Sequence, residues 1–508
     1  MPGPGRRASV PSLPRGRGRG TGRRVPGVAV SSTETRADLI VVGAGPAGAS
    51  AALAAHRAGL AVVLIDEAGR PGGQVWRAPA AGVAIPEALR TQDDRDGAEL
   101  RAAVAASGLR FVGDARVWSV TGRFRVDAAT EAGTEAFVAP RLVAATGAHE
   151  RVVPFPGWTL PGVIGLAAAT VLLKSEAMLP GRRTVVAGCG PLLAAVAAKI
   201  VAGGGTVSGL VDLAGPADWL AVAPRLARRP RLLRQGLGWM IRIGLARVPV
   251  HFRHAVVAAE GGEAVEQVVI APVDAEGAPV AGTRHRIAAD ALAVGHGLLA
   301  GAEIPRLLRA SLRFEAEAGG WIPVLDTAGR TSIAGLYAAG DGAGIAGAAG
   351  ALLSGRLAGL AAARDAGALA EGAFAAARDR ILAERHAVEA FAGAVRRLMR
   401  PRRGLVDAIA PETVVCRCED VTRAEIDAAV MAGAREVNQL KHFTRCGMGP
   451  CQGRFCGDTA AELVARHVGS REAAGVWTAR PPLRPVPLDT LLGDFDYADI
   501  PVPKPAPL

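Results

Sequence analysis

The run Leu39-Ile40-Val41-Val42-Gly43-Ala44-Gly45-Pro46-Ala47-Gly48 sets four apolar residues directly before a Gly-x-Gly-x-x-Gly turn, and an alanine-rich stretch follows to about Ala58. A buried strand, a glycine turn and a helix account for that order. Gly43 permits the tight turn, Gly45 lets backbone approach a pyrophosphate, and Gly48 lets helix and strand pack closely. Pro46 and Ala47 lie at the helix N-terminus, which supplies amide donors and a positive dipole for phosphates. A second apolar run, Ala61–Ile65, ends in Asp66 and Glu67. Asp66, 18 residues past Gly48, is placed to accept from ribose hydroxyls, with Glu67 as the weaker candidate. Taken alone, this unit leaves FAD and NAD both open.

Short apolar runs, glycine turns and alanine-rich helices continue to about Ala363, the pattern of an α/β architecture with a parallel sheet. Three motifs lie within it: Arg70-Pro71-Gly72-Gly73-Gln74, Ala144-Ala145-Thr146-Gly147, and Gly335-Leu-Tyr-Ala-Ala-Gly340-Asp341-Gly342. Taken alone, Asp341 reads as a helix N-cap. About 145 residues after the first unit comes a second: Thr184–Ala187, then Gly188-Cys189-Gly190-Pro-Leu-Leu193, then Val207–Val211 ending in Asp212. Here the third glycine is Leu193, whose side chain is expected to push helix and strand apart. Cys189 lacks a Cys-x-x-Cys partner, which argues against disulfide reduction.

Five of the six cysteines, Cys416, Cys418, Cys446, Cys451 and Cys456, fall within 41 residues. Cys416 and Cys418, then Cys446 and Cys451, form two close pairs, and four thiolates suit zinc or an iron–sulfur cluster. Zinc sites usually separate paired cysteines by about two to four residues, and the spacing of Cys416 and Cys418, with one residue between, differs. The set of four is complete without Cys456, which is read as a nearby structural thiol. Glycines 447 and 449 are expected to let backbone amides turn toward the sulfurs. The nine histidines show no metal-like spacing.

A chain of 508 residues suggests about three domains. Its net charge of +12 invites a nucleic-acid partner, but residues 1–36 hold +7 of it, with eight arginines against Glu34. The other 472 residues carry an ordinary +5. That start has no aromatic residue to stack on bases, so no nucleic-acid partner is expected. It also lacks an apolar signal region, and the longest apolar run, Val163–Leu173, is too short to span a bilayer. A cytoplasmic protein without an integral membrane span is expected, its first 36 residues a disordered tail.

The motifs quoted above resemble the signature set of two-dinucleotide-binding-domain flavoproteins, of the pyridine nucleotide-disulfide oxidoreductase type, over residues 38–365. The resemblance implies FAD in the first unit, contacted by Gly43, Gly45, Pro46, Ala47, Gly48, Asp66 or Glu67, Gly73, Gln74, Thr146, Gly147, Gly340 and Asp341. Asp341 is then beside the ribityl chain rather than a mere cap. It gives the second unit, with Gly188, Gly190 and Asp212, the place of an NAD(P)H domain. Leu193 leaves that site open between NAD(P)H, another nucleotide and a purely structural role. The cysteine segment resembles a bacterioferritin-associated-ferredoxin-like 2Fe-2S domain, with Cys416, Cys418, Cys446 and Cys451 as its metal ligands.

With Gly72-Gly73-Gln74-Val75-Trp76-Arg77 and Phe155-Pro-Gly-Trp158-Thr-Leu-Pro161-Gly, the motif order is similar to the large subunit of opine oxidases, hydrogen cyanide synthase and related amino-acid dehydrogenases over 38–460. This implies a hetero-oligomer. A smaller, glycine-oxidase-like flavoprotein subunit oxidises a small amine or amino acid, and this chain handles the electrons through FAD and the 2Fe-2S cluster. The alternative is a self-sufficient NAD(P)H-dependent flavin reductase. No substrate base stands out, since loop structure explains His149 and Glu150 as well as flavin contact does. The expected organisation is a tail (1–36), an FAD-binding domain in two pieces (37–152 and 310–365), a second dinucleotide domain (153–309), a helical connector (366–410), a small helical 2Fe-2S domain (411–465) and a C-terminal arm (466–508).

Overall fold

The computed structural model describes residues 34–491. The apolar run Leu39–Val42 is the middle strand of a five-stranded parallel sheet. Val62–Ile65 and Arg110–Val112 lie on one side of it, Leu142–Ala144 and Leu336–Ala338 on the other. All four residues of Leu39–Val42 are buried, as expected where helices cover both faces of a parallel sheet. The last strand enters from far along the chain, so this first domain is built from two pieces. The helices Pro46–Arg57 and Gly347–Asp365 pack together on one face.

An antiparallel meander, Arg116–Thr121, Arg125–Thr130 and Gly133–Val138, covers the other side of the domain. Thr35–Arg36 adds a parallel strand to it beside Phe137–Val138. The boundary expected at residue 36 therefore falls after this strand has begun. Residues 1–33 of the expected tail lie outside the described residues.

A second parallel sheet runs in the order Val163–Gly165, Ala291–Gly295, Arg183–Gly188, Thr206–Asp212, Val250–Phe252. The two sheets bear out the α/β fold with two dinucleotide-type domains. The helix Gly347–Asp365 leads into the long helix Glu371–Leu398, where the connector was expected.

The cysteine-bearing segment is a two-stranded hairpin, Val414–Cys416 with Val421–Thr422, and three helices, Arg423–Met431, Val437–Thr444 and Gly457–Val468. The last helix runs three residues past the expected boundary at 465. The arm beyond it lies on the meander: the Leu483 amide donates to the Trp118 carbonyl at 2.6 Å, and Thr134 Oγ1 donates to the Thr490 carbonyl at 2.8 Å. Residues 492–508 lie outside the described residues. Among the described residues no helix is long and apolar enough to cross a membrane.

Candidate functional site: two glycine loops and a thiol cluster

The first loop follows from its glycines. Gly43 has φ +100°, and a Cβ on Gly48 would stand 1.7 Å from the Gly43 carbonyl oxygen, so loop and helix close up only without side chains there. Gly45 meets nothing closer than the Gly73 Cα, at 3.7 Å from its would-be Cβ, which brings the Arg70–Gln74 motif onto the loop. Asp66 lies beside it as well, accepting from the Ala44 amide and, at 2.7 Å, from the Ala68 amide. Burial pushes its carboxyl above the usual range. Glu67 is exposed.

Thr146 donates its hydroxyl to the Gly301 carbonyl, and no atom lies within 4 Å of where a Gly147 Cβ would stand. Asp341 Oδ1 accepts from the amides of Ala346 and Gly347 at 2.9 and 3.0 Å, at the start of the helix Gly347–Asp365. Asp341 thus caps a helix at the loop through Oδ1, and its Oδ2 makes no hydrogen bond among the described residues. Gln74 accepts from Arg77 at 3.0 Å. Pro46 and Ala47 begin the helix, and an added Cβ on Gly340 would stand 2.6 Å from the Ala47 Cβ, so the two glycine motifs touch.

The second loop is built alike and filled differently. Gly188 has φ +130° and abuts the Gly295 carbonyl. Leu193, expected to wedge helix from strand, is instead 2 % exposed within the core formed by Val186, Val196 and Ala197. A Cβ on Gly190 would stand 2.6 Å from Cγ of Met399, the residue that ends the long connector helix. Asp212 is also engaged: Oδ1 accepts from the Ala214 amide and Oδ2 from Trp219 Nε1, both at 2.9 Å, and burial lifts its pKa to about 6. Cys189 is buried, which raises its thiol to about 12 and keeps it inert.

All five clustered thiols come together, though not in the expected grouping. The sulfurs of Cys416, Cys446 and Cys456 all lie within 4.8 Å of one another. Cys418 and Cys451 are in hydrogen-bond contact with each other. Cys456, expected as a bystander, therefore joins Cys416 and Cys446. One signal in the sequence favours it: four residues separate Cys451 from Cys456, as four separate Cys446 from Cys451. Hydrogen bonds from Cys446 and Cys456 to the Cys416 sulfur bring its thiol down to about 2. The Gly447 amide also turns toward Cys416, as expected, whereas Gly449 packs its Cα against the Cys418 side chain. Five sulfurs gathered together, with backbone amides turned toward Cys416, fit a cationic metal centre.

The strand Ala148–Glu150 leaves the Thr146–Gly147 turn and leads to Arg151. Arg151 is buried and pairs with Asp458 at 2.7 Å, two residues past Cys456. Asp458 pairs in turn with Arg471 at 2.9 Å, and Arg471 with Glu462 at 3.2 Å. Trp158 Nε1 donates to the Val414 carbonyl at 2.7 Å, next to the cysteine hairpin. His149 lines a cleft of about 360 Å³ that Met448 and Gln452 of the cysteine loop also line. Glu150 points elsewhere, accepting from the amides of Leu166 and Ala167, and burial raises its pKa to about 7.

A pyridine nucleotide-disulphide oxidoreductase model matches residues 37–367, and a sarcosine oxidase A3 domain model matches 410–494. The chain belongs to the pyridine nucleotide-disulphide oxidoreductase family. Within this family it is 35 % identical to an opine oxidase subunit of Agrobacterium tumefaciens, over 89 % of this chain and 91 % of that one. It is 34 % identical to the HcnB subunit of hydrogen cyanide synthase from Pseudomonas aeruginosa, over 88 % and 97 %. These two relatives bear out the expected resemblance to the large-subunit group. The alpha subunit of sarcosine oxidase from a Corynebacterium is 28 % identical over 90 % of this chain and 45 % of its own length. Among solved structures, L-proline dehydrogenase from P. horikoshii superposes with a TM-score of 0.65 at 22 % identity, covering 90 % of this chain and 80 % of that one, and shares the fold.

Proposed function

We propose that the chain is the FAD- and 2Fe-2S-bearing subunit of a heteromeric amine or imino-acid oxidoreductase. In this reading a smaller, glycine-oxidase-like flavoprotein subunit oxidises the amine, and this chain passes the electrons on. The observation that carries it is the buried Arg151–Asp458 pair, which ties the strand leaving the Thr146–Gly147 turn to the helix that begins after Cys456. Two redox centres held by one rigid contact suit a relay. FAD accepts electrons in pairs and a 2Fe-2S cluster passes them singly. Near-full-length similarity to proteins named as subunits supports assembly with a partner.

The first loop, with Asp66, the Gly73 turn, Thr146–Gly147 and Asp341, would hold the FAD. The cluster would be held by four of the five thiols, with Cys416 and Cys418 on the hairpin side. Cys446, Cys451 and Cys456 compete for the two remaining places. Single Cys→Ser substitutions sort them, since the four ligands lose iron and acid-labile sulfide while the fifth keeps both.

Co-expression with the product of the adjacent reading frame tests the assembly. The expected result is one complex that oxidises a small amine only when both chains are present. A chain that stays alone and oxidises substrate unaided would overturn the proposal. The alternative of a self-sufficient NAD(P)H-dependent flavin reductase is disfavoured by Met399 over Gly190 and by the engaged Asp212. NADH or NADPH mixed anaerobically with the purified chain is expected to leave its flavin oxidised.

A further inference from the structure

The helix Pro230–Leu245, in the second domain, takes no part in the sites above. Its inner face is held by buried Ile243, with Trp239 packed against the domain core. Its outer face is apolar. Leu237, Ile241 and Leu245 succeed one another at every fourth residue and so form one stripe. They are 53 %, 63 % and 81 % exposed, and Met240 beside them is 39 % exposed. The preceding helix, Pro216–Leu226, adds Leu220, also exposed. Gly236, Gly238 and Gly244 have no atom within 4 Å of a would-be Cβ, so packing does not call for these helix-loosening residues.

The charge around this stripe has one sign. Between Asp218 and Glu260 the chain has eight arginines and no lysine or acidic residue. Arg231, Arg234 and Arg242 lie on the helix itself. Among the described residues, the arginines from 225 to 247 form one ion pair, Arg231 with Asp96 at 4.0 Å. A contiguous exposed apolar face marks a contact surface. Apolar residues in a stripe, flanked by arginines of which only Arg231 has an acidic partner among the described residues, match a surface that offers hydrocarbon below and phosphate above. We propose that the helix Pro230–Leu245 docks the protein on an anionic lipid surface, lying in its plane without crossing it.

The test is co-sedimentation of the full chain with vesicles of phosphatidylglycerol and phosphatidylcholine, against phosphatidylcholine alone, at low and high salt. The chain is expected to bind the anionic vesicles and to release them in salt. Leu237→Gln/Ile241→Gln/Leu245→Gln should lower binding roughly tenfold or more. Arg231→Gln/Arg234→Gln/Arg242→Gln should lower it roughly fivefold or more. All six side chains are on the surface, so both variants should keep the parent melting temperature. The same losses in a chain lacking residues 1–33 separate the helix from the arginine-rich start. The proposal falls if the parent chain ignores anionic vesicles, if both triple variants still bind, or if deleting 1–33 alone abolishes binding. It also falls if the variants, without vesicles, break self-association or co-elution with a partner, which would make this face a protein interface.

Discussion

Gly48 controls the first loop more tightly than its neighbours do, because its would-be Cβ coincides with the Gly43 carbonyl, whereas that of Gly45 has room. Gly48→Val should therefore force the helix off the strand, at about 3 kcal/mol by the usual cost of overpacking. Loss of flavin absorbance and a lower melting temperature are the readouts, and Gly45→Ala should be milder in the second. This loop was legible in the sequence because everything it needs lies within about thirty residues. Cys456 was not: a thiol's membership of a cluster depends on how three helices and a hairpin fold together, and local spacing fitted two sets of four. The capping role of Asp341 was legible as the reading the residue carries when taken alone, since Asp before a helix is a common cap.

At the scale of elements, the cysteine module is fastened by charge as well as by apolar packing. Asp458 is held far below the usual carboxylate range, since Arg151 and Arg471 outweigh the upward push of burial. Replacing Arg151 by Met leaves that carboxylate short of a partner in a buried place, at about 3 kcal/mol. The expected result is faster amide hydrogen exchange in the helix Gly457–Val468 and in the Cys446–Cys456 loop, with the first parallel sheet unchanged. The separation into strands, glycine turns and helices was readable from apolar periodicity. The docking of the module was not, because Arg151 and Asp458 are 307 residues apart and each looks like an ordinary surface charge. Separation in sequence likewise hid Met399, 209 residues from the Gly190 it packs against, while Leu193 is taken into the core of the second unit.

For the whole molecule, two sets of buried or half-buried acids pull stability in opposite directions with pH. Hydrogen bonds from Arg330, Tyr337 and Arg364 outweigh the upward push of burial and hold Asp365 at about 2. Asp365 and Asp458, with folded pKa values below the unfolded value near about 4, stabilise the protein above that pH. This stabilisation drains away as the pH falls from about 4 through the folded values. Glu150 does the reverse. Its folded pKa of about 7 lies above its unfolded value, so its contribution worsens as the pH rises from about 4.5 to 7. Denaturant melts across pH 2–8 should show a steep acid loss and a shallower decline toward neutrality. Glu150→Gln should reduce the second, of which Asp212 keeps a share, and spare the first.

Met399 also bears on how the sequence is free to drift. A glycine loop packed against a methionine from its own chain is constrained by that packing, so its residues answer to one another. Among related chains, a change from methionine at position 399 should be accompanied by changes at 190 and in the Asp212–Trp219 contact, while Gly43, Gly45 and Gly48 stay fixed. A relative with a small residue at 399 and a glycine at 193 would leave more room at this loop, and it is the one in which nucleotide binding there should be measured first.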